Sequence, residues 1–210
     1  IGSLAKPPWL VKTAQGRELD ESDIEHARSW GEKVGVEDHE ELVEALESGN
    51  ADAAEVARWS SRYCIRLQES AGVEVIWDGE QLRSEMYAWA IEHSTGFEER
   101  GTVRSFDNKY YTKSAAVGPV GLREPYHNDE FSFLKSVARA DLKIPITGAY
   151  TLAIWSYDEH HTPSEGRLGA GYGRSQEIEA RRELTLDIAR NVIRPNLEAL
   201  IGLGATWIQI

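Results

Sequence analysis

The sequence predicts an α/β fold of alternating strand and helix, four βα units long and interrupted by one β-hairpin, which amounts to about half of a (β/α)8 barrel. Three observations carry this reading. Strand-like runs recur at Ile1, Val73, Ile144 and Thr206, and helical patterns fill the intervals between them. The stretch VEVIWDGEQLRSE at 73–85 passes from β-branched and aromatic residues through a turn into a helical period, which is the signature of a single βα unit. No GxGxxG follows the first strand, so a dinucleotide-binding sheet is disfavoured.

Taken in order, Ile1, Gly2 and Ser3 read as the end of a strand and its loop, and Pro7 and Pro8 argue against helix directly after it. Three helices are expected at Glu21 to Val34, Asp38 to Ser48 and Asn50 to Ala71, with Asp20, Asp38 and Asn50 as N-caps and Gly35, Gly49 and Gly72 as stops. Val56, Trp59, Tyr63 and Leu67 give the third a broad apolar face for the sheet. After the Val73 strand, Leu82, Met86, Trp89 and Ala90 mark the next helix. A hairpin of about 99–120 is inserted around Asp107 and Asn108. A helix from Asp129 to Ala140, the strand LKIPITG, a short helix or loop over AYTLAIWSY and a long helix from Ser175 follow, with a kink expected at Pro195. The run ATWIQI is a final strand.

The chain has 210 residues with 23 Lys and Arg against 35 Asp and Glu, a formal charge of −12. That balance argues against a nucleic-acid or anionic-membrane surface, both of which need clustered positive charge. The longest apolar run, around Ile146 to Trp155, is shorter than the roughly 20 residues of a membrane helix. One cysteine, Cys64, makes no internal disulfide and fits a reducing, cytoplasmic setting; in a helical stretch it reads more readily as a small buried hydrophobe than as a nucleophile. A first residue that is not Met and a last strand without a return connection suggest a piece of a longer protein.

Candidate site residues cluster where strands end. Asp78 and Glu80 follow the Val73 strand, the place where barrels and open sheets hold their ligands, although Asp78 could instead cap the next helix and Glu80 favour its positive end. The quartet Asp158, Glu159, His160 and His161 has metal-like composition, but consecutive residues do not converge on one ion, and a solvated loop is the simpler reading. The glycines at 169, 171 and 173 precede a helix without following a strand, so they make a poor phosphate cradle. No Cys and His spacing here builds a closed zinc site.

IGS at 1–3 with PPWL after it, WDGEQLRSEM at 77–86, ITGAYTLAIWSY at 146–157 and GATWIQI at 204–210 resemble, in that order, the catalytic barrel of the cobalamin-independent methionine synthase family. The resemblance spans the chain as anchor blocks, weakest over Glu21 to Ala71 and Pro163 to Arg174. It implies a (β/α)8 barrel that transfers a methyl group to the thiol of homocysteine, held as a thiolate on zinc, to form methionine. It also implies that Ile1, Gly2 and Ser3 hold the amino acid through their backbone, that Glu80 receives its ammonium group, and that Trp155 stacks on the pterin of a methyltetrahydrofolate donor. Where folate-using members carry Arg and Cys before a Lys, this chain has Tyr110 and Tyr111 ahead of Thr112 and Lys113. That departure points to a methylated corrinoid as donor, with a corrinoid protein as a partner. The family's zinc ligands, His, Cys, Glu and Cys on later strands, have no counterpart here. The chain is therefore expected to be the N-terminal half of such a barrel, inactive as it stands, with zinc bound by the absent half. Two other readings stay open: a zinc thiol alkyltransferase or decarboxylase of the same barrel superfamily, and a non-catalytic binding or assembly protein.

Overall fold

The structure is a computed structural model that describes residues 3–83, 85–104, 110–162 and 174–210, with the backbone alone at 174–176. Its residues group into two compact units, one formed by Ile1–Ser84 with Glu130–Ile144 and the other by Glu85–Asp129 with Pro145–Ile210.

The first unit holds helices α1 (Pro8–Ala14), α2 (Glu21–Val34), α3 (His39–Glu47) and α4 (Ala53–Ser70), the short strand β1 (Val75–Ile76), most of helix α6 (Asn128–Val137) and strand β4 (Asp141–Pro145). The sequence argues against helix at Pro7 and Pro8, but Pro8 opens α1, where its missing N–H would have had no partner in any case. Asp20 and Asp23 form a reciprocal capping box on α2, and Gly35 ends it at φ 69°. Asp38 precedes α3 without a side-chain cap bond, and α4 is capped by Asp52 on the Glu55 amide rather than by Asn50. The apolar faces of these helices close on Trp9, Leu10, Ala27, Leu42, Val43, Leu46, Val56, Trp59 and Tyr63. Trp9 meets Tyr63 edge-on with ring centroids 5.6 Å apart. Beside this core β1 and β4 pair in parallel, Val75 opposite Asp141 and Ile76 opposite Leu142.

The second unit holds helix α5 (Met86–Glu92), the antiparallel strands β2 (Ser94–Arg104) and β3 (Tyr110–Leu122), helix α7 (Ala149–Trp155), strand β5 (Tyr157–Asp158), helix α8 (Arg174–Ile188), a π-helical turn (Ala189–Ile193), helix α9 (Arg194–Gly202) and strand β6 (Trp207–Gln209). The hairpin is longer than its sequence signal: β2 starts at Ser94 and β3 runs to Leu122, with Phe97 opposite Ala116 and Thr102 opposite Thr112. Irregularities fall between Thr95 and Phe97 and between Glu99 and Thr102, where the alternation breaks and hides the outer strand residues from a pattern search. β5 extends the ladder in parallel, Ala115 opposite Tyr157. The sequence places a kink at Pro195; the helix instead changes to a π turn at Ala189–Ile193 and resumes as α9, with Pro195 in its first turn, where proline is tolerated. Within this unit the Ile146 amide donates to the Gln209 carbonyl at 2.8 Å. No helix among the described residues is long and apolar enough to cross a membrane.

Candidate functional site

The turn after β1 is built from the inside. Trp77 and Asp78 are buried, Asp78 completely, and the turn residues Gly79 and Glu80 have φ of 70° and 66°. Glycine is required at 79 on two counts: its left-handed backbone, and the Leu4 side chain, whose atoms lie 2.6 Å from where a Cβ would sit. Glu80 takes the same conformation with a full side chain, an arrangement that persists only when neighbours impose it.

Those neighbours come from three directions. From within the turn, the Glu80 amide donates to Asp78 Oδ1 at 2.8 Å and the Arg83 amide donates to the Glu80 carbonyl at 3.3 Å. From α4, Ser61 Oγ donates to Asp78 Oδ2 at 3.0 Å and Ser60 Oγ donates to Gln81 Oε1 at 2.8 Å. From the N-terminal segment, the Leu4 amide donates to the Gly79 carbonyl at 3.0 Å, Gln81 Nε2 returns a bond to the Leu4 carbonyl at 3.1 Å, and Lys6 Nζ donates to the Arg83 carbonyl. Segment 3–6 and turn 78–83 are thus laced together.

The electrostatics follow from this burial. Desolvation raises the Asp78 pKa, partly offset by the Glu80 amide and Arg83. Burial lowers the Lys6 pKa, opposed by the charges of Asp78 and Glu80, so Lys6 and the two carboxylates share one field. Glu80 itself is half-buried at the rim of this network.

Several expectations need correcting here. Asp78 is no N-cap: the turn continues to Arg83, α5 begins only at Met86, and Glu85 caps it by accepting from the Tyr87 and Ala88 amides. Asp78 is fully buried, one oxygen accepting from the Glu80 amide and the other from Ser61. Leu82, expected on a helix, lies in the turn. Ile1 and Gly2 lie outside the described residues; Ser3 is exposed and belongs to no strand.

In the second unit the structure brings Tyr111 and Trp155 together, ring centroids 4.9 Å apart with planes at 36°, and sets Tyr87 on Trp155 at 6.3 Å. Trp155, at the end of α7, is half-buried. Tyr110 does not join them and is 69% exposed. Adjacent strand residues point to opposite faces, so one of two neighbouring tyrosines turns inward and the other turns out. A cavity of about 220 Å³ opens beside this aromatic group, lined by Lys113, Ser156, Tyr157 and Arg181 among others. The Lys113 ammonium lies 4.3 Å from the Tyr157 ring centroid.

The Asp158 to His161 quartet runs from the end of β5 into a bend that is tied down by hydrogen bonds and ion pairs. Asp158 sits on β5 and accepts from the His160 and His161 amides, and Glu159 pairs with Arg100 at 2.9 Å. His161 lies between Asp158 at 3.2 Å and Asp187 at 3.1 Å. The glycines at 169, 171 and 173 lie outside the described residues.

Among the described residues, one group of three could converge on an ion: Glu32, His39 and Glu40, with both carboxylates exposed. Cys64 is buried, and burial, with the charge of Asp78 beside it, pushes its thiol up to about 12, so it is not a thiolate at neutral pH. These residues do not fit a thiol-activating zinc, which needs about three well-placed ligands and one open position.

What sequence reasoning missed is the pair Arg83 and Glu130. They are buried and joined by Nε–Oε1, Nε–Oε2 and Nη2–Oε2 contacts of 3.0, 3.1 and 3.0 Å, across 47 residues of chain. No local pattern announces a pairing of that separation.

With the geometry in place, comparisons with known proteins are informative. Residues 27–183 match the family described as Cobalamin-independent synthase, Catalytic domain. The methionine synthase of Thermococcus kodakarensis is 33% identical over the whole chain, which covers 50% of that relative. The methionine synthase of Saccharolobus solfataricus is 34% identical over the whole chain and 50% of its own length. The chain thus spans about half the length of the curated relatives it matches. Among solved structures, a B12-independent methionine synthase from Shewanella sp. W3-18-1, in complex with selenomethionine, superimposes with a TM-score of 0.53 at 22% identity, over 79% of this chain and 42% of that one. That likeness is one of fold.

Proposed function

We propose, from the premise that this chain belongs to the cobalamin-independent synthase catalytic-domain family, that it forms the N-terminal half of a (β/α)8 barrel that methylates the thiol of homocysteine to give methionine. The observation that carries the reading is Glu80: a half-buried carboxylate, held in a left-handed turn at the carboxyl end of β1, beside the N-terminal segment. In this reading Glu80 accepts the substrate ammonium, and the backbone of Ile1, Gly2 and Ser3 holds the rest of the amino acid. Binding through an ionised acceptor contributes about 1.5–3 kcal/mol, enough to select an α-amino acid over a neutral thiol.

Trp155 and Tyr111 would form an aromatic wall of the methyl-donor pocket, with Tyr110 at its exposed margin. Flat aromatic faces suit a large planar donor, and the tyrosines in place of Arg and Cys favour a methylated corrinoid, delivered by a corrinoid protein, over methyltetrahydrofolate. In this reading zinc holds the acceptor as a thiolate, and its ligands belong to the part of the relatives' length that this chain does not cover. The test is methionine formation by the full-length protein from homocysteine with each donor in turn. Methyl transfer to homocysteine by either supports the reading, and transfer only to a different thiol overturns it.

A further inference from the structure

Glu80 owes its unusual conformation to bonds at both of its peptide groups. Asp78 takes its amide, and the Arg83 amide fills its carbonyl. Asp78 is anchored through Ser61 on α4, whereas Arg83 is anchored through its guanidinium on Glu130 of α6. The guanidinium also lies 5.2 Å from the Trp77 ring centroid, and the Arg83 and Glu130 side chains are 4% and 3% exposed. A fork of this kind fixes direction as well as distance, because two parallel N–H···O bonds allow one orientation of the planar groups.

We propose that Glu130 is a positioning residue for the amino-acid site. Through Arg83 it holds the carbonyl side of the Glu80 turn and so sets where the Glu80 carboxylate meets the substrate ammonium. The inference rests on the reading of Glu80 as the ammonium acceptor and extends it to a buried residue 50 positions away that acts through Arg83. A buried ion pair contributes little net stability compared with apolar residues of similar volume, so geometry is the role that distinguishes it.

The same fact supplies the test. Replacing both partners, Arg83→Met with Glu130→Leu, removes the pair together and leaves Asp78 its bonds from the Glu80 amide and Ser61, whereas either apolar single variant strands the other member's charge. In the full-length protein the double variant is expected to melt close to the parent yet bind homocysteine, by calorimetry, at least about tenfold more weakly. Arg83→Lys, which keeps the charge and loses the fork, falls between, with the loss appearing in KM rather than kcat. A purely structural pair would lower the melting temperature and leave the affinity of the folded molecules unchanged. Parent-like affinity in a folded double variant overturns the proposal. If the double variant does not fold, Glu130→Gln gives the same reading, and parent-like affinity there overturns it equally. Glu80→Gln separates the two levels: unchanged affinity in that variant removes the Glu80 reading itself, while weakened affinity there beside a parent-like double variant removes only the role of Glu130.

Discussion

Asp78 accepts the amide of Glu80 at 2.8 Å from a position with no solvent exposure, so two acidic neighbours in the sequence have opposite duties: one holds the turn and the other is presented by it. Substitution should separate these duties. Asp78→Ala leaves the Glu80 amide and the Ser61 hydroxyl without their acceptor and is expected to cost about 1–3 kcal/mol of stability. Glu80→Gln keeps the fold and is expected to weaken homocysteine binding by about 1.5–3 kcal/mol. Denaturant unfolding and calorimetry on both variants check the split, and a Glu80→Gln variant that loses stability instead of affinity would contradict it.

The aromatic wall leads to a donor preference. With Tyr111 4.9 Å from Trp155, the full-length enzyme is expected to turn over faster with a methylated corrinoid than with methyltetrahydrofolate at matched homocysteine. Tyr111→Ala should slow the donor half of the reaction without altering homocysteine affinity. Tyr110→Ala, at an exposed position, should do much less. Faster turnover with the folate would refute the preference.

Cys64 offers a chemical check on the first unit. Its thiol is buried and pushed up to about 12, so iodoacetamide at pH 8 should leave it unmodified in the folded chain and alkylate it in urea. For the same reason this 210-residue chain is expected to bind no stoichiometric zinc by metal analysis after dialysis, and to transfer no methyl group. Tight zinc in this chain, or rapid alkylation of the native state, would mean that Cys64 sits in a different environment.

A pH dependence is expected from Glu69. Burial works against its ionisation, but the Arg139 amide at 2.6 Å, the Ala140 amide at 3.2 Å and the Arg66 guanidinium together hold its carboxyl below the usual range. A carboxyl with a depressed folded-state pKa contributes stability that is complete above its unfolded value, about 4.3, and is lost as pH falls through the lower folded value. Urea midpoints between pH 6 and pH 2 should therefore fall less steeply in Glu69→Gln than in the parent. Parallel curves would show that Glu69 is not linked to folding.

How much of this was legible in advance depended on the range of the interaction. Helices α2, α3 and α4 were readable because Asp20, Gly35 and Gly49 act within a few residues, and α7 because an apolar run is released by Gly148. Glu80 and Trp155 were reached by resemblance of their flanking blocks to a family. The true extent of the hairpin was hidden by its irregular register, and the first turn of α1 by a proline that tolerates the position where it stands. The split between Tyr110 and Tyr111 required knowing which face of β3 is covered. Arg83 with Glu130 was beyond reach, since only the folded chain brings α6 to the turn after β1.

The composition of the first unit sets the order in which it becomes available during synthesis. Its residues come from 1–84 and 130–144, so Glu130 leaves the ribosome long after Arg83, the residue it pairs with. Until then β1 lacks its neighbour β4, and Arg83 lacks the Glu130 fork. A nascent chain that has not yet released β4 therefore carries an open strand edge at β1, the kind of exposed intermediate on which chaperones act. A chain truncated between residues 85 and 129 would stay in that state permanently, however well its helices were capped.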